Sequence, residues 1–103
     1  MSVTEAQIKD WKKRNGKVFA VEIPTDDTGK ETVTGYFKKP DLKTIAASAK
    51  FAQTDPVQAG SILFENCWLG GDEAIRTNDE LKMSAIQQVG TLFKVREASL
   101  KEV

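Results

Sequence analysis

The segment DPVQAGSILFENCWLGGDEAI, residues 55–75, constrains the fold more than any other part of this chain. Asp55 is a good helix N-cap, Pro56 suits the first helical position and Gln58 stands three residues after the cap, so three signals agree on the start of a helix. Its apolar side chains point to nearly every side, and two glycines then end it. We therefore predict a helix that lies in the centre of a domain or within an oligomer, with Trp68 largely buried.

Residues able to carry catalysis are scarce. The 103 residues contain no histidine and one cysteine, which removes the usual general base and the commonest metal ligand. The acidic pairs at 26–27 and 72–73 fall in a turn and at a helix start, where solvation and capping account for them. The Gly-Gly pair follows a helix, whereas a phosphate-binding loop follows a strand. We therefore predict a non-enzymatic protein with no catalytic residues, no cofactor and no metal site; only a ligand pocket near Tyr36 or Asp72 would favour an enzyme.

The residues from about 17 to 38 predict a β-hairpin. Phe19, Val21 and Ile23 alternate with their neighbours as in a strand, TDDTG supplies a turn, and KETVTGYFKKP supplies a second β-rich run. Two strands alone are seldom stable, so helices must cover one face. The predicted fold class is α+β: a β-hairpin packed on a bundle of three to four α-helices.

Two further helices flank the hairpin in the sequence. Residues 1–16 predict an N-terminal helix that begins with a capping box of Thr4 and Gln7; it is thinly apolar, so it docks through Ile8 and Trp11 or stays loosely attached. A second helix is predicted from Asp41 to about residue 53. Its apolar stripe, expected to face the core, comprises Leu42, Ile45, Ala46, Ala49 and Ala52.

The C-terminal sequence NDELKMSAIQQVGTLFKVREASLKEV predicts one long helix with a broad apolar arc. Val95 and Ala98 lie outside that arc and form an extra apolar edge. The predicted protein-binding residues are Leu92, Phe93, Val95 and Ala98. The alternative, a helix used wholly by its own fold, stays open at this point.

Length and composition predict a single domain over residues 1–103. No apolar run is long enough for a membrane span, and the start of the sequence lacks the layout of a signal peptide, so we expect a cytoplasmic protein that does not enter membranes. Cys67 stands alone in an apolar pattern, which predicts a buried structural thiol in a reducing compartment.

Charge is balanced, with 15 basic and 15 acidic residues, which argues against nucleic acid as a partner. The two halves differ: residues 1–50 carry a net +3 and residues 51–103 a net −3. This polarity can support head-to-tail association, although solvated faces often differ as much. The basic clusters at 12–14 and 38–39 leave an alternative function open: a small adaptor or regulatory domain that contacts a protein or nucleic acid through its basic N-terminal half.

Three segments carry a resemblance to a known family: GYFKKPDLKTIAASAK, DPVQAGSILFENCWLGGDEAI and DELKMSAIQQVGTLFK. In this order they resemble the small tail assembly chaperones of phage and prophage tail-gene clusters. The resemblance covers about residues 17–95 and leaves out the N-terminal helix to Arg14. It implies a non-enzymatic protein of the host cytoplasm that associates with itself, as a dimer or larger species, and coats the tape measure protein during virion assembly. The family has no catalytic residues to carry over.

Overall fold

A computed structural model of the protein describes residues 3–92 and 98–103. Five helices and three strands lie within the described residues, and the α+β fold predicted from the sequence is confirmed. In chain order the elements are α1 (Glu5–Asn15), β1 (Val18–Pro24), β2 (Thr32–Lys38), α2 (Leu42–Ala49), α3 (Pro56–Cys67), β3 (Trp68–Gly71), α4 (Ala74–Thr77) and α5 (Asp79–Val89).

The three strands form an antiparallel sheet in the order β1-β2-β3, with β2 in the middle. The predicted hairpin is confirmed, and its register places Val21 opposite Gly35. Because side chains alternate along a strand, one face carries Val21, Ile23 and Phe37, all buried, against α3 and α5. The opposite face carries Tyr36 and is the face on which α1 lies.

The N-terminal helix α1 begins as predicted. The Thr4 hydroxyl accepts a hydrogen bond from the Gln7 backbone N–H, and the Gln7 side chain accepts one from the Thr4 N–H, which completes the capping box. Gly16, with φ of 80°, ends the helix. No α1 side chain is fully buried, yet Ile8 and Trp11 are half-buried and the Trp11 ring packs on Tyr36. The helix is therefore attached through its indole.

The third strand, β3, corrects the sequence analysis. Helix α3 ends at Cys67, and Trp68 adopts the extended φ and ψ of −62° and 126°. Residues 68–71 pair with β2, and the Asp72 N–H donates to the Thr34 carbonyl at 3.0 Å. The free edge of β2 supplies hydrogen-bond partners to this backbone, and the following glycines disfavour a further helical turn. The apolar run WLGG therefore joins the sheet.

The backbone conformation and close neighbours of position 71 exclude any side chain larger than that of glycine. Its φ is +133°, a conformation that side chains rarely adopt, and a Cβ atom would collide with the Thr34 carbonyl and stand 2.8 Å from Gly35 Cα. Two glycines face each other across β2 and β3, since Gly35 pairs with Gly71. The second glycine of the Gly70-Gly71 sequence thus allows the backbones of β2 and β3 to approach closely.

The core lies between the inner face of the sheet and helices α3, α4 and α5. Its largest fully buried side chains are Phe37, Phe64, Ile75, Val89 and Cys67. Cys67 is a free thiol, as predicted, and desolvation in this apolar setting raises its pKa to about 11. Trp68 was predicted to be largely buried on a helix; it is half-buried, on a strand, and stacks on Phe64.

Helix α2 begins at the predicted cap, because the Asp41 side chain accepts from the Thr44 N–H at 2.8 Å, which lowers the pKa of Asp41. It ends at Ala49, not near residue 53, and its orientation differs from the prediction. The buried side chains are Thr44 and Ser48, whereas four of the five residues of the apolar stripe are exposed. The small polar side allows close packing on α3, where the Ser48 hydroxyl donates to the Ala59 carbonyl at 2.9 Å.

Helix α5 is shorter than predicted. The Asn78 side chain caps the start of α5 by accepting a hydrogen bond from the Leu81 N–H. The helix ends at Val89, and the N–H groups of residues 91 and 92 donate to the carbonyls three residues earlier, as in a 3₁₀ turn. Residues 98–103 have no regular structure and are exposed. Gly90 is the C-cap of α5, and its N–H donates to the Ile86 carbonyl. Glycine has a low helix propensity, which suits the end of a helix. None of the described helices is long and apolar enough to cross a membrane.

Candidate protein-binding surface

The predicted binding edge on the C-terminal helix lies only partly within the described residues. Leu92 lies beyond the end of α5 and packs, half-buried, against the core. Ala98 is exposed in a segment without regular structure, and Phe93 and Val95 lie outside the described residues. A helical stripe needs an uninterrupted helix, and this one ends at Val89. The predicted edge therefore stays a prediction, and the described residues offer other apolar surfaces for a partner.

The apolar groove between α3 and α5 is the strongest candidate. It has a volume of about 330 Å³ and is open to solvent. Two large apolar side chains border it: Val57, which is 66% exposed, and Met83, which is 45% exposed. The lining residues are Val57, Ser61, Asp79, Lys82, Met83 and Ile86. We call this the α3–α5 groove.

A glycine allows the two helices that form the α3–α5 groove to pack closely together. Gly60 on α3 faces Ile86 on α5 so closely that a Cβ atom on the glycine would stand 2.9 Å from Ile86 Cγ2. The first turn of α3 is fixed by the Asp55 side chain, which accepts from the Gln58 N–H at 3.1 Å. Val57 therefore projects from a capped, ordered helix start beside a tightly packed helix pair, so its exposure is a property of the fold.

Charged side chains frame the α3–α5 groove without filling it. Lys82 Nζ lies 3.6 Å from Glu65 and 5.3 Å from the centroid of the Phe64 ring, so its charge is held over the core aromatic. Arg76 reaches the same glutamate at 3.9 Å. Asp79, in the first turn of α5, adds an acidic group at the rim. An apolar centre with a mixed-charge rim is the usual composition of a protein-binding surface.

Helical spacing places Val57 on the same side of α3 as Phe64 and Cys67, yet those two side chains are buried and Val57 is exposed. Val57 lies almost two turns before Phe64, close to the start of α3. Met83 does not belong to the apolar arc predicted for the last helix, so the sequence did not indicate it as a binding residue. The signal that was available is position: an apolar residue in the first turn after a Pro-started cap lies at the end of a helix, where burial is least complete.

The exposed apolar stripe of α2 is a second surface of the same kind. Leu42 is 81% exposed, Ala46 and Ala49 are exposed, and Phe51 beyond the helix is partly so. Alanines present little area, and none of these α2 residues lines the α3–α5 groove. This surface is therefore separate from the α3–α5 groove.

A polar cleft lies near Tyr36 and Asp72, the two residues around which an enzymatic site was considered. It has a volume of about 250 Å³ and is lined mainly by Thr32, Thr34, Tyr36, Gly71 and Asp72. The Asp72 carboxylate accepts a hydrogen bond from the Ala74 N–H at 2.9 Å and so caps the start of α4. Threonines, one tyrosine and one capping aspartate contain no nucleophile paired with a base. Within the described residues no three Cys, Asp or Glu side chains converge as metal ligands.

The basic cluster at residues 12–14 lies exposed on the last turn of α1, where positive charge suits the helix C-terminus. Arg14 pairs with Asp10 one turn earlier, which uses part of that charge. The cluster is a solvated surface that stays available to the adaptor function considered as the alternative.

Comparison with known proteins bears on the fold. No protein-family model matches this chain, and no curated protein matches it. A solved structure of the uncharacterised protein rbstp2171 from Bacillus stearothermophilus is similar, with a TM-score of 0.62 and 18% sequence identity. The match covers 91% of this chain and 99% of that chain. At this identity the similarity shows that the two chains share a fold.

Proposed function

We propose that this protein is a non-enzymatic tail assembly chaperone of a phage or prophage that binds an apolar helical segment of the tape measure protein in the host cytoplasm and associates with itself. The observation that carries the binding role is the α3–α5 groove, an open apolar channel between two helices with large apolar side chains at its border. The identity of the partner comes from the resemblance of the sequence segments described above.

The groove favours a helix as the bound element. Grooves between paired helices accept amphipathic helices whose apolar anchors recur at i, i+3 and i+4. Val57 and Met83 supply contact area on opposite walls, and methionine adapts to different partner side chains. Lys82 and Asp79 at the rim can pair with charges of either sign on the polar flanks of the partner helix.

Co-expression with the tape measure protein from the same gene cluster tests the proposal. Val57→Asp and Met83→Asp place carboxylates at exposed positions, so each variant should fold, as shown by an unchanged circular dichroism spectrum. Both should lose co-purification with the tape measure protein, because burial of an unpaired carboxylate opposes binding. Leu42→Asp is the matched control: it is equally apolar and exposed but lies on α2, outside the groove.

Two results would contradict the proposal in different ways. If the Val57 and Met83 variants keep the tape measure protein soluble as well as the parent does, the α3–α5 groove is not the binding surface. If the parent itself neither binds nor solubilises the tape measure protein, the proposed chaperone role is wrong.

A further inference from the structure

Among residues 3–92 and 98–103, no strand pairs with the outer edge of β1. Strand β1 is an outer strand, since the order is β1-β2-β3. The Thr25 N–H donates to the Glu31 carbonyl at 2.9 Å, and these residues continue the β1–β2 register. Because hydrogen-bonded and non-hydrogen-bonded pairs alternate in an antiparallel ladder, Ile23 and Val21 bond to β2. The backbone N–H and C=O groups of Ala20 and Glu22 therefore point away from β2, to the free edge.

A groove runs along this edge. It has a volume of about 400 Å³ and is bounded by the five consecutive residues 20–24 on one side and by α5 on the other. Five strand residues span about 13 Å at about 3.3 Å per step, the length of a short strand. The α5 wall contributes Ser84, Gln87 and Gln88, which are short hydroxyl and amide side chains able to donate and accept hydrogen bonds. We call it the β1-edge groove.

The described C-terminal segment, residues 98–103, has the properties of a strand without a sheet. It has no regular structure, and Leu100 and Val103 are fully exposed, so neither side chain packs on its own domain. Over residues 98–101, Ala98 and Leu100 alternate with Ser99 and Lys101, which is the pattern of a strand with one apolar face; Glu102 follows on the side of Leu100.

The pattern of the C-terminal segment complements the β1-edge groove. If Leu100 points to the α5 side, beside buried Val21 and Ile23, then Lys101 points to the opposite side of the sheet. Glu22, which is exposed, projects on that opposite side and is the charged residue among those lining the groove. Cross-strand pairs of opposite charge stabilise neighbouring strands. One placement therefore matches backbone, apolar side chain and charge at the same time.

We propose that residues 98–102 of a second copy of this chain add to the free edge of β1 as a fourth strand, with Leu100 on the α5 side and Lys101 beside Glu22. A second copy is the occupant because the segment is exposed and out of contact with its own domain in this structure. Reciprocal exchange between two copies forms a closed dimer that contains two such contacts. The inference rests on the self-association part of the proposed function and does not involve the α3–α5 groove.

A charge exchange tests the pairing. Glu22→Lys and Lys101→Glu each place like charges in both contacts of the dimer, so each variant alone should dimerise about tenfold more weakly than the parent in sedimentation equilibrium. An equimolar mixture of the two variants should recover the affinity of the parent, because in the mixed dimer each contact again pairs opposite charges. Glu31→Lys is the matched control, since Glu31 is exposed outside the groove and its variant should dimerise like the parent.

Backbone pairing is tested separately. With the added strand antiparallel to β1 and Lys101 opposite Glu22, the Ser99 N–H faces β1, whereas the Leu100 N–H points away. Ser99→Pro removes that N–H and should weaken dimerisation at least tenfold without a change in monomer stability. In the parent, the amide protons of Ala20 and Glu22 should gain protection from hydrogen exchange as concentration rises, whereas Val21 and Ile23 should be protected at all concentrations.

The outcomes separate this inference from the proposed function. A parent protein that dimerises with unchanged affinity after truncation at residue 97 would overturn the exchange of C-terminal strands and leave self-association intact. A parent that stays monomeric at millimolar concentration would overturn both the inference and the self-association part of the proposed function. Binding of the tape measure protein is measured independently, through the Val57 and Met83 variants.

Discussion

The Trp11 ring on α1 packs against Gly70 on β3. A Cβ atom on Gly70 would stand 2.9 Å from both Cη2 and Cζ2 of the indole, and the same ring packs on Tyr36 with its centroid 5.8 Å away. The indole of Trp11 thus links α1 to β3, and it can approach the strand because Gly70 has no side chain. This contact gives the N-terminal helix a defined place on the outer face of the sheet.

We expect Trp11→Ala to detach α1 while the rest of the fold persists. The half-buried indole packs on Tyr36 and Gly70, and its loss should cost about 2 kcal/mol, less than the roughly 3–5 kcal/mol of an aromatic truncation inside a core. Gly70→Ala should loosen the same helix by collision. Hydrogen exchange of the α1 amides measures the effect, and Lys13→Ala on the exposed side of α1 should leave exchange unchanged.

Gly60 should tolerate no side chain. Gly60→Ala places a methyl group 2.9 Å from Ile86 Cγ2, and we expect the free energy of unfolding to fall by about 1–3 kcal/mol despite the better helix propensity of alanine. Gly90→Ala is the matched control: its φ is −60° and the nearest atoms are 3.5 Å away, so it should stabilise by up to about 1 kcal/mol. Chemical denaturation compares the two variants.

A second substitution, at Ile86, should relieve the steric clash that Gly60→Ala creates. In the double variant Gly60→Ala, Ile86→Ala, the methyl group that obstructs the new alanine is gone. The destabilisation of the double variant should therefore be smaller than the sum of the two single destabilisations by about 1 kcal/mol or more. Strict additivity in a double-mutant cycle would show that α3 and α5 do not meet at these two residues.

Trp68 should be a major contributor to stability although it lies on a strand. Its ring stacks on Phe64 at 5.4 Å, meets Phe37 edge-on at 5.4 Å and has the Arg76 guanidinium 6.0 Å from its centroid. We expect Trp68→Ala to cost about 3–5 kcal/mol, because it leaves a cavity beside two core phenylalanines. Circular dichroism in urea measures the loss, and a midpoint equal to that of the parent would contradict this packing.

Stability should decline at alkaline pH because of Cys67. Desolvation raises the pKa of its thiol to about 11 in the folded protein, whereas an unfolded thiol ionises near about 8.5. The unfolded state therefore loses this proton first as pH rises. The stabilisation is complete below about pH 8.5 and is lost on the way to pH 11, at up to about 1.4 kcal/mol per pH unit for one group.

The alkaline effect can be assigned to the thiol by comparison with Cys67→Ala. Lysine titration contributes equally to both proteins, so the variant should show a shallower fall of unfolding free energy between pH 8.5 and 11. Parallel curves would mean that the thiolate forms in the folded core without penalty.

The starts of the helices could be predicted from the sequence because capping is local chemistry. Thr4, Asp41, Asp55 and Asn78 each accept a hydrogen bond from a backbone N–H three residues later, within one turn. The β-hairpin was equally accessible, since alternation and a turn sequence lie within about 20 residues of each other. These features depend on neighbours along the chain.

The candidate binding surface could not be predicted from the sequence, because exposure depends on what each element packs against. Apolar periodicity predicted that the α2 stripe with Leu42 faces the core, yet Leu42 is exposed, and Val57 is exposed although it shares a helical side with buried Phe64. Helix α2 turns Thr44 and Ser48 inward, where the Ser48 hydroxyl meets the Ala59 carbonyl of another helix. A pattern on one helix does not identify the partner that will cover it.

Sequence alone therefore determined the caps, the hairpin, the buried thiol and the class of the fold, each from interactions between residues close in the chain or from bulk hydrophobicity. Only the tertiary structure decided that Trp68 leaves its helix, since the strand that it joins is completed by β2, more than 30 residues earlier. The same backbone would satisfy its hydrogen bonds in a helix or in a strand. The free edge of β2 and the closeness that Gly35 and Gly71 permit made the strand the more stable choice.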